Sequence, residues 1–162
     1  MIFSKEKNML IRMAVPADKA AINELRREVN QLHVEGRPDI FVPGFPQQLA
    51  DYLDVIFMQE NGEIVVAEQD GQIVGFACLT YVERPATVFR MAQKFCDIDE
   101  LDVAASFRRQ GVGRAMFAFI KARAAEKGFD RIELNMWEFN EDALRFYESL
   151  GFRTYRRYME YP

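Results

Sequence analysis

The hydrophobic pattern of this chain switches from a helical period to strict alternation and back. This predicts an α/β protein with a mixed central sheet and flanking helices, in the order β-α-α-β-β-β-α-β-α-β. Three observations carry that expectation. Two amphipathic helical patterns occupy the first third of the chain. Asp70-Gly71 joins two runs rich in Val, Ile, Phe and Tyr, and this dipeptide suits a tight hairpin turn because both central residues need positive φ. Residues 95–137 then read as strand, glycine-rich turn, helix and strand, the order of a parallel crossover.

Taken in order, the apolar stretch Leu10-Ile11-Arg12-Met13-Ala14 reads as a first strand, and Pro16 breaks it. Asp18 is placed to cap a helix whose apolar residues Ile22, Leu25, Val29 and Leu32 share one face, ending near Gly36-Arg37-Pro38. A second helix follows Pro46, with Leu49, Tyr52, Leu53, Ile56 and Phe57 at helical spacing and Asn61-Gly62 closing it. Residues 63–69 and 72–83 form the hairpin, and 95–104 a third strand of the sheet's middle. Val112, Met116, Phe119 and Ile120 fall on one face of the next helix, with Gly128 at its C-terminal end. Residues 131–137 read as a strand, 141–150 as a short helix presenting Ala143, Tyr147 and Leu150, and 153–161 as a closing strand.

Composition narrows the function. With 49% apolar and 28% charged residues, 9 Gly and 6 Pro, the 162 residues suit one globular domain, 1–162, and exclude disordered or low-complexity classes. The longest uninterrupted apolar run is the six residues 115–120, against the ~20 needed to span a bilayer, so no membrane partner is expected. Residues 1–8 carry charges where a signal peptide needs an apolar run. The two cysteines, Cys78 and Cys96, read as reduced thiols in strands, which points to the cytoplasm. A net charge of -4 and a pI near 5.2 argue against nucleic acid as a partner. Any anionic ligand must therefore meet a local basic patch.

That patch lies between the strand at 95–104 and the helix after it. Arg108, Arg109 and Arg114 surround Gly111 and Gly113 where the first helical amides have no intrahelical partner and the helix dipole favours negative charge. A di- or polyphosphate is the natural ligand. The sequence lacks the G-x-x-x-x-G-K-[ST] of a P-loop. It also departs from the dinucleotide fingerprint, having Met116 where a third small residue belongs. A plain turn with solvated arginines is the remaining alternative.

The run Arg108-Arg109-Gln110-Gly111-Val112-Gly113 resembles the Q/R-x-x-G-x-G/A acyl-CoA signature of the GNAT superfamily of N-acetyltransferases. Residues 140–152 resemble that superfamily's N-x-x-A-x-x-x-Y-x-x-x-G-F segment, through Asn140, Ala143, Tyr147, Gly151 and Phe152. The resemblance implies the acyl-CoA N-acyltransferase fold and acetyl-CoA as cofactor, with CoA as product. It implies that the amides from Arg109 through Gln110, Gly111, Val112 and Gly113 to Arg114 cradle the pyrophosphate, with Arg108 and Arg109 adding charge. Leu101 and Val103 would offer main-chain groups to the pantetheine arm and thioester, Asn140 would hold the cofactor by its side chain, and Tyr147 would protonate the departing thiolate. A phenol is neutral at pH 7 and suits that role, while a core aromatic is the bland reading of Tyr147.

The acceptor amine must lose a proton, which calls for a carboxylate or a water leading to one. Asp97, Asp99, Glu100 and Asp102 crowd one strand. Alternation puts Asp97 and Asp99 with Leu101 and Val103, and Glu100 and Asp102 opposite, unless a bulge resets the register. Asp99 or Glu100 is the expected base, and pairing with Arg or Lys is the alternative for each. In the resembled fold the connection that carries His33, the one histidine, and Arg37 borders the acceptor site, which makes both its candidate contacts, or they simply finish the helix and form the turn with Asp39. No spacing suits a metal. Trp137, Phe139, Tyr155 and Tyr158 read as core or dimer contacts, and the edge of the closing strand leaves room for a homodimer. The sequence thus points to an acetyl-CoA-dependent N-acetyltransferase acting directly on a primary amine of a small molecule or peptide. A non-catalytic acyl-CoA sensor and, more remotely, a nucleotide-binding regulator are the competing readings.

Overall fold

The structure, a computed structural model, describes residues 8–162; residues 1–7, most of the stretch weighed above as a signal peptide, lie outside the described residues. Five strands form one sheet in the order β1-β2-β3-β4-β5: β1 is Met9–Met13, β2 Gly62–Gln69, β3 Gln72–Arg84, β4 Gln93–Val103 and β5 Ile132–Leu134. The first four are antiparallel to their neighbours and β5 runs parallel to β4. Helices α1, Lys19–Gly36, and α2, Gln47–Met58, connect β1 to β2, while α3, Val112–Glu126, crosses from β4 to β5. The last helix, α4, spans Glu141–Ser149. Among the described residues no helix is long and apolar enough to cross a membrane.

Alternation in β2 and β3 divides the core between the two faces of the sheet. Val65, Ala67, Ala77 and Leu79 pack with Val112, Met116 and Ile120 of α3, while Ile64, Val66, Phe76 and Cys78 pack with Ile22 and Leu25 of α1 and Leu53 and Ile56 of α2. Each of the fully buried large side chains contributes about 1.5–3 kcal/mol. Asp70 and Gly71 take φ of 52° and 81°, giving the hairpin that their sequence predicts. Both cysteines are free and buried, on opposite faces.

Three expectations need correction. Asp18 does not cap α1: its carboxylate accepts from Arg12 at 2.7 and 3.0 Å and from the Val15 amide at 2.8 Å, and those contacts leave it turned away from the helix. The strand expected over 131–137 shrinks to three residues, Ile132–Leu134. Residues 153–161 form no strand. A three-residue edge offers few ladder groups to pair with, and this segment is held by side chains instead: Tyr155 donates to Glu133 at 2.6 Å, and Arg37 pairs with Glu160 at 2.9 Å. The edge of the sheet beside β4 is therefore β5, not a closing strand.

Candidate active site

The register of β4 shifts in its middle. Cys78 of β3 faces Glu100 while Leu79 faces Ile98, so Asp99 is an extra residue, a β-bulge. Cys96 and Ile98 before the bulge, and Leu101 and Val103 after it, all pack toward α3. Asp97 therefore stands on the opposite face together with Glu100 and Asp102. This corrects the unbulged alternation, which grouped Asp97 and Asp99 with Leu101 and Val103.

Pairing between β4 and β5 also stops at the bulge, its last pair being Ile98 and Leu134. Beyond that point the two strands part. The Ala104 amide donates to Val74 of β3, so by alternation the main-chain groups of Leu101 and Val103 face away from β3, toward the opened edge. The family resemblance implied only that main-chain groups of these two residues would meet a ligand; the bulge and the early end of β5 leave them without a ladder partner from β5.

At the head of α3 the two glycines do different work. Gly111, with φ of 87°, makes the left-handed turn into the helix, and nothing lies within 4 Å of a Cβ placed there. Gly113 serves packing: a Cβ would stand 2.9 Å from the Phe146 ring, which seats α4 against the first turn of α3. Arg109, beside them, also takes positive φ at 63°. The amides of Val112, Gly113 and Arg114 are the first of the helix and point out of its end.

The three arginines divide as well. Arg108 folds inward, its Nε donating to the Val103 carbonyl at 2.8 Å and its Nη2 to Asp102 at 3.1 Å. Arg109 stays exposed, and Arg114 reaches Ser149 of α4 at 3.3 Å. Gln110 donates to the Ser106 carbonyl at 2.8 Å, tightening the turn. The Asn140 Oδ1 accepts from the Ala143 amide at 3.1 Å, making this residue the N-cap of α4.

Tyr147, only 9% exposed, packs its ring against Phe146 and Phe152. Burial, with a smaller contribution from the charge of Asp102, pushes its phenol up to about 12. The phenol is thus held protonated throughout the neutral range.

On the other face of β4 the carboxylates differ in their partners. Glu100 is gripped by both sides of the Arg26 fork at 2.9 Å, and Arg26 is itself buried, bonded to the Leu49 carbonyl and placed over the rings of Phe45 and Tyr52. Among the described residues Asp99 accepts from the Thr80 hydroxyl alone; desolvation and the charge of Glu100 raise its pKa while that hydroxyl lowers it. Asp97 has no hydrogen-bonding partner among the described residues, and desolvation with the charges of Asp99 and Glu133 lifts it to about 6. Tyr52 of α2 also feels Asp99, which places α2 beside the bulge.

His33 and Arg37 do not reach β4 directly. His33 stacks on Phe41 at 5.0 Å and meets Phe139 edge-on, and Arg37 lies over Trp137 while pairing with Asp39 and Glu160. These aromatic residues form one cluster between the end of α1 and the segment after β5. Sequence reading left Trp137 and Phe139 as separate core or dimer contacts. It weighed pairing with Arg or Lys for each carboxylate of β4 but named neither Arg26 for Glu100 nor Arg108 for Asp102. The cap at Asn140 went unread, since that residue was taken only as a cofactor contact, although Asn before an acidic first turn is a helix-start signal.

The sequence matches the Acetyltransferase (GNAT) family over residues 26–152. N-acetyltransferase family 8 member 2 of Rattus norvegicus is 26% identical over 111 residues, which cover 67% of this chain and 47% of the rat protein. The chain thus spans less than half the length of that relative. A tetramutant of the BH1408 protein from Bacillus halodurans superposes with a TM-score of 0.90 at 30% identity, covering 94% of this chain and 99% of that one. The aminoglycoside N-acetyltransferase AAC(6')-Iy, solved in complex with CoA, shares the fold with a TM-score of 0.79 at 18% identity, over 99% of this chain and 98% of its own.

Proposed function

Because the chain belongs to the GNAT acetyltransferase family, we propose that it moves an acetyl group directly from acetyl-CoA to a primary amine of a small molecule or peptide. The observation that carries this reading is the opened edge of β4, which runs from the bulge to the head of α3. Main-chain groups of Leu101 and Val103 and the outward amides of Val112, Gly113 and Arg114 line it in sequence, the donor arrangement an extended arm ending in a pyrophosphate requires. The open space at Gly111 fits the same ligand. Bound there, acetyl-CoA supplies an activated acyl group whose C–S bond breaks as the amine nitrogen bonds the carbonyl carbon.

The residues divide the remaining work. Arg109 and Arg114 supply charge to the phosphates, and the Nδ2 of Asn140 is the donor its capping role leaves free. An amide of Leu101 or Val103 donates to the thioester oxygen, where charge develops. Tyr147 gives its proton to the sulfur, since its buried phenol is protonated at every neutral pH. Asp99 takes the proton of the acceptor ammonium, directly or through water, and is preferred to Glu100 because Arg26 occupies both oxygens of Glu100. His33 and Arg37, held by the aromatic cluster, border the acceptor side. Direct transfer, rather than a covalent acyl-enzyme, is supported by the thiols: burial holds Cys78 well above its ordinary pKa and pushes Cys96 up to about 12, so neither is a thiolate at neutral pH.

The test is amine-dependent CoA release across a panel of primary amines, with Tyr147→Phe beside the native chain. A loss of about a hundredfold in turnover with acetyl-CoA binding kept is expected of a removed general acid. Undiminished turnover would remove Tyr147 from the reaction. Binding of acetyl-CoA with no release by any amine would favour the non-catalytic acyl-CoA sensor.

A further inference from the structure

Asp102 Oδ2 is the one buried side-chain oxygen or nitrogen among the described residues that lacks a hydrogen-bond partner. A buried acceptor in that state is costly to the fold, so its surroundings need explaining. Its other oxygen, Oδ1, accepts from Arg108 Nη2 at 3.1 Å, and the Nε of the same guanidinium donates to the carbonyl of Val103 at 2.8 Å. The guanidinium thus closes a bracket in which the last two residues of β4 hold the first arginine of the turn that leads to Gly111. Two hydrogen bonds fix that turn to the strand, and they fix it on the side where β4 has lost β5.

We propose that Asp102 is a positioning residue for acyl-CoA, and that through Arg108 it fastens the pyrophosphate turn to the thioester end of β4. This rests on the acyl-CoA reading of the site. Arg108, which the signature marks as a phosphate contact, becomes on this account a strut whose charge is already engaged. The ligand has to be held at two points at once, phosphates at the head of α3 and acyl group beside Leu101 and Val103, and the bracket sets the distance between them.

The groups facing the Asp102 carboxylate are Arg108 from the turn, Glu28 from α1 and Tyr147 from α4. Desolvation lifts Asp102 to about 6, against the opposing pull of Arg108 and the Val103 backbone. Protonation therefore weakens the grip within an accessible range. A carboxylate beside a phosphate site also repels the ligand, which separates the alternatives by sign. If Asp102 is a bystander, neutralising it tightens CoA binding; if it positions the turn, neutralising it weakens binding.

The experiment is calorimetric titration of the full chain with CoA from pH 5 to pH 8, for the native protein, Asp102→Asn and Asp102→Glu. Taking the ratio of dissociation constants between variant and native protein cancels the titration of the ligand's own phosphates. At pH 7.5 Asp102→Asn is expected to bind about tenfold more weakly, the effect of one lost charge-assisted hydrogen bond, with the ratio falling toward one below pH 5. Asp102→Glu should recover part of the affinity, and Asp102→Asn should melt no lower than the native chain at pH 7. Equal or tighter binding by Asp102→Asn overturns the proposal, as does a weakening that is the same at every pH or one that tracks a loss of melting temperature. A native chain that fails to bind CoA sinks the acyl-CoA reading itself, a result distinct from native binding that the substitution leaves untouched.

Discussion

The two sides of β4 are built differently. On the side of the opened edge, the groups proposed to meet the acyl donor are main-chain groups from residues close in sequence, set by one bulge, one left-handed glycine and one helix start. On the side proposed for the acceptor, the contacts are between side chains brought from far apart: Arg26 to Glu100, His33 and Phe41 to Trp137 and Phe139, Arg37 to Glu160. A backbone site tolerates changes of side chain so long as the turn persists. A site made of side chains changes its preferences with each substitution, so on the proposed function the donor side is expected to tolerate substitutions that alter the acceptor side.

The largest expected effect comes from breaking the long-range side. Arg26→Met removes a buried guanidinium and leaves the Glu100 carboxylate partly buried without its partner. This should destabilise the fold by about 3–5 kcal/mol, seen as a lower urea midpoint. Because the proposed donor groups lie on the opened edge of β4 and not on the face that carries Glu100, CoA affinity of the folded fraction should hold. A parallel loss of CoA binding would show that the two sides are not separable.

A smaller effect comes from acid. Asp97 and Asp102 both sit near 6, above the usual carboxylate value of 3.8, so the charged form is disfavoured by the fold. Their contribution to stability is fully present below the unfolded value and is lost as pH rises through about 6. Asp18 works in reverse: its hydrogen bond to Arg12 lowers its pKa, and that stability is lost as pH falls. Between pH 7 and pH 5 the first pair dominates, and Asp97→Asn should raise the melting temperature at pH 7 by a few degrees, at about 2–4 °C per kcal/mol, while flattening its pH dependence. An unchanged profile would mean that Asp97 is solvated as an ordinary surface acid.

Legibility followed the same division. The hairpin at Asp70-Gly71, the helix faces of Ile22 and Met116 and the glycine turn could be read because each depends on neighbours within a few residues. Gly113 was legible as a small residue, but its partner Phe146 was not. The bulge was foreseen only as a condition, since nothing local marks Asp99 as the extra residue. Glu100 was left level with Asp99 as a candidate base because its partner Arg26 lies 74 positions away. The closing strand failed for a related reason: an alternating pattern predicts a strand only where an edge is there to pair with it, and β5 offers three residues.

The claim at the centre of this account is that the opened edge of β4 is a ready-made acyl-CoA site. Thermal unfolding of the full chain with acetyl-CoA, CoA, ATP and NAD tests it most directly. Acetyl-CoA and CoA at a hundred times their dissociation constants should each add about 2.7 kcal/mol, a clear rise in melting temperature, while ATP and NAD at the same concentrations give little. Equal shifts with ATP or NAD, or none with acetyl-CoA, would contradict it.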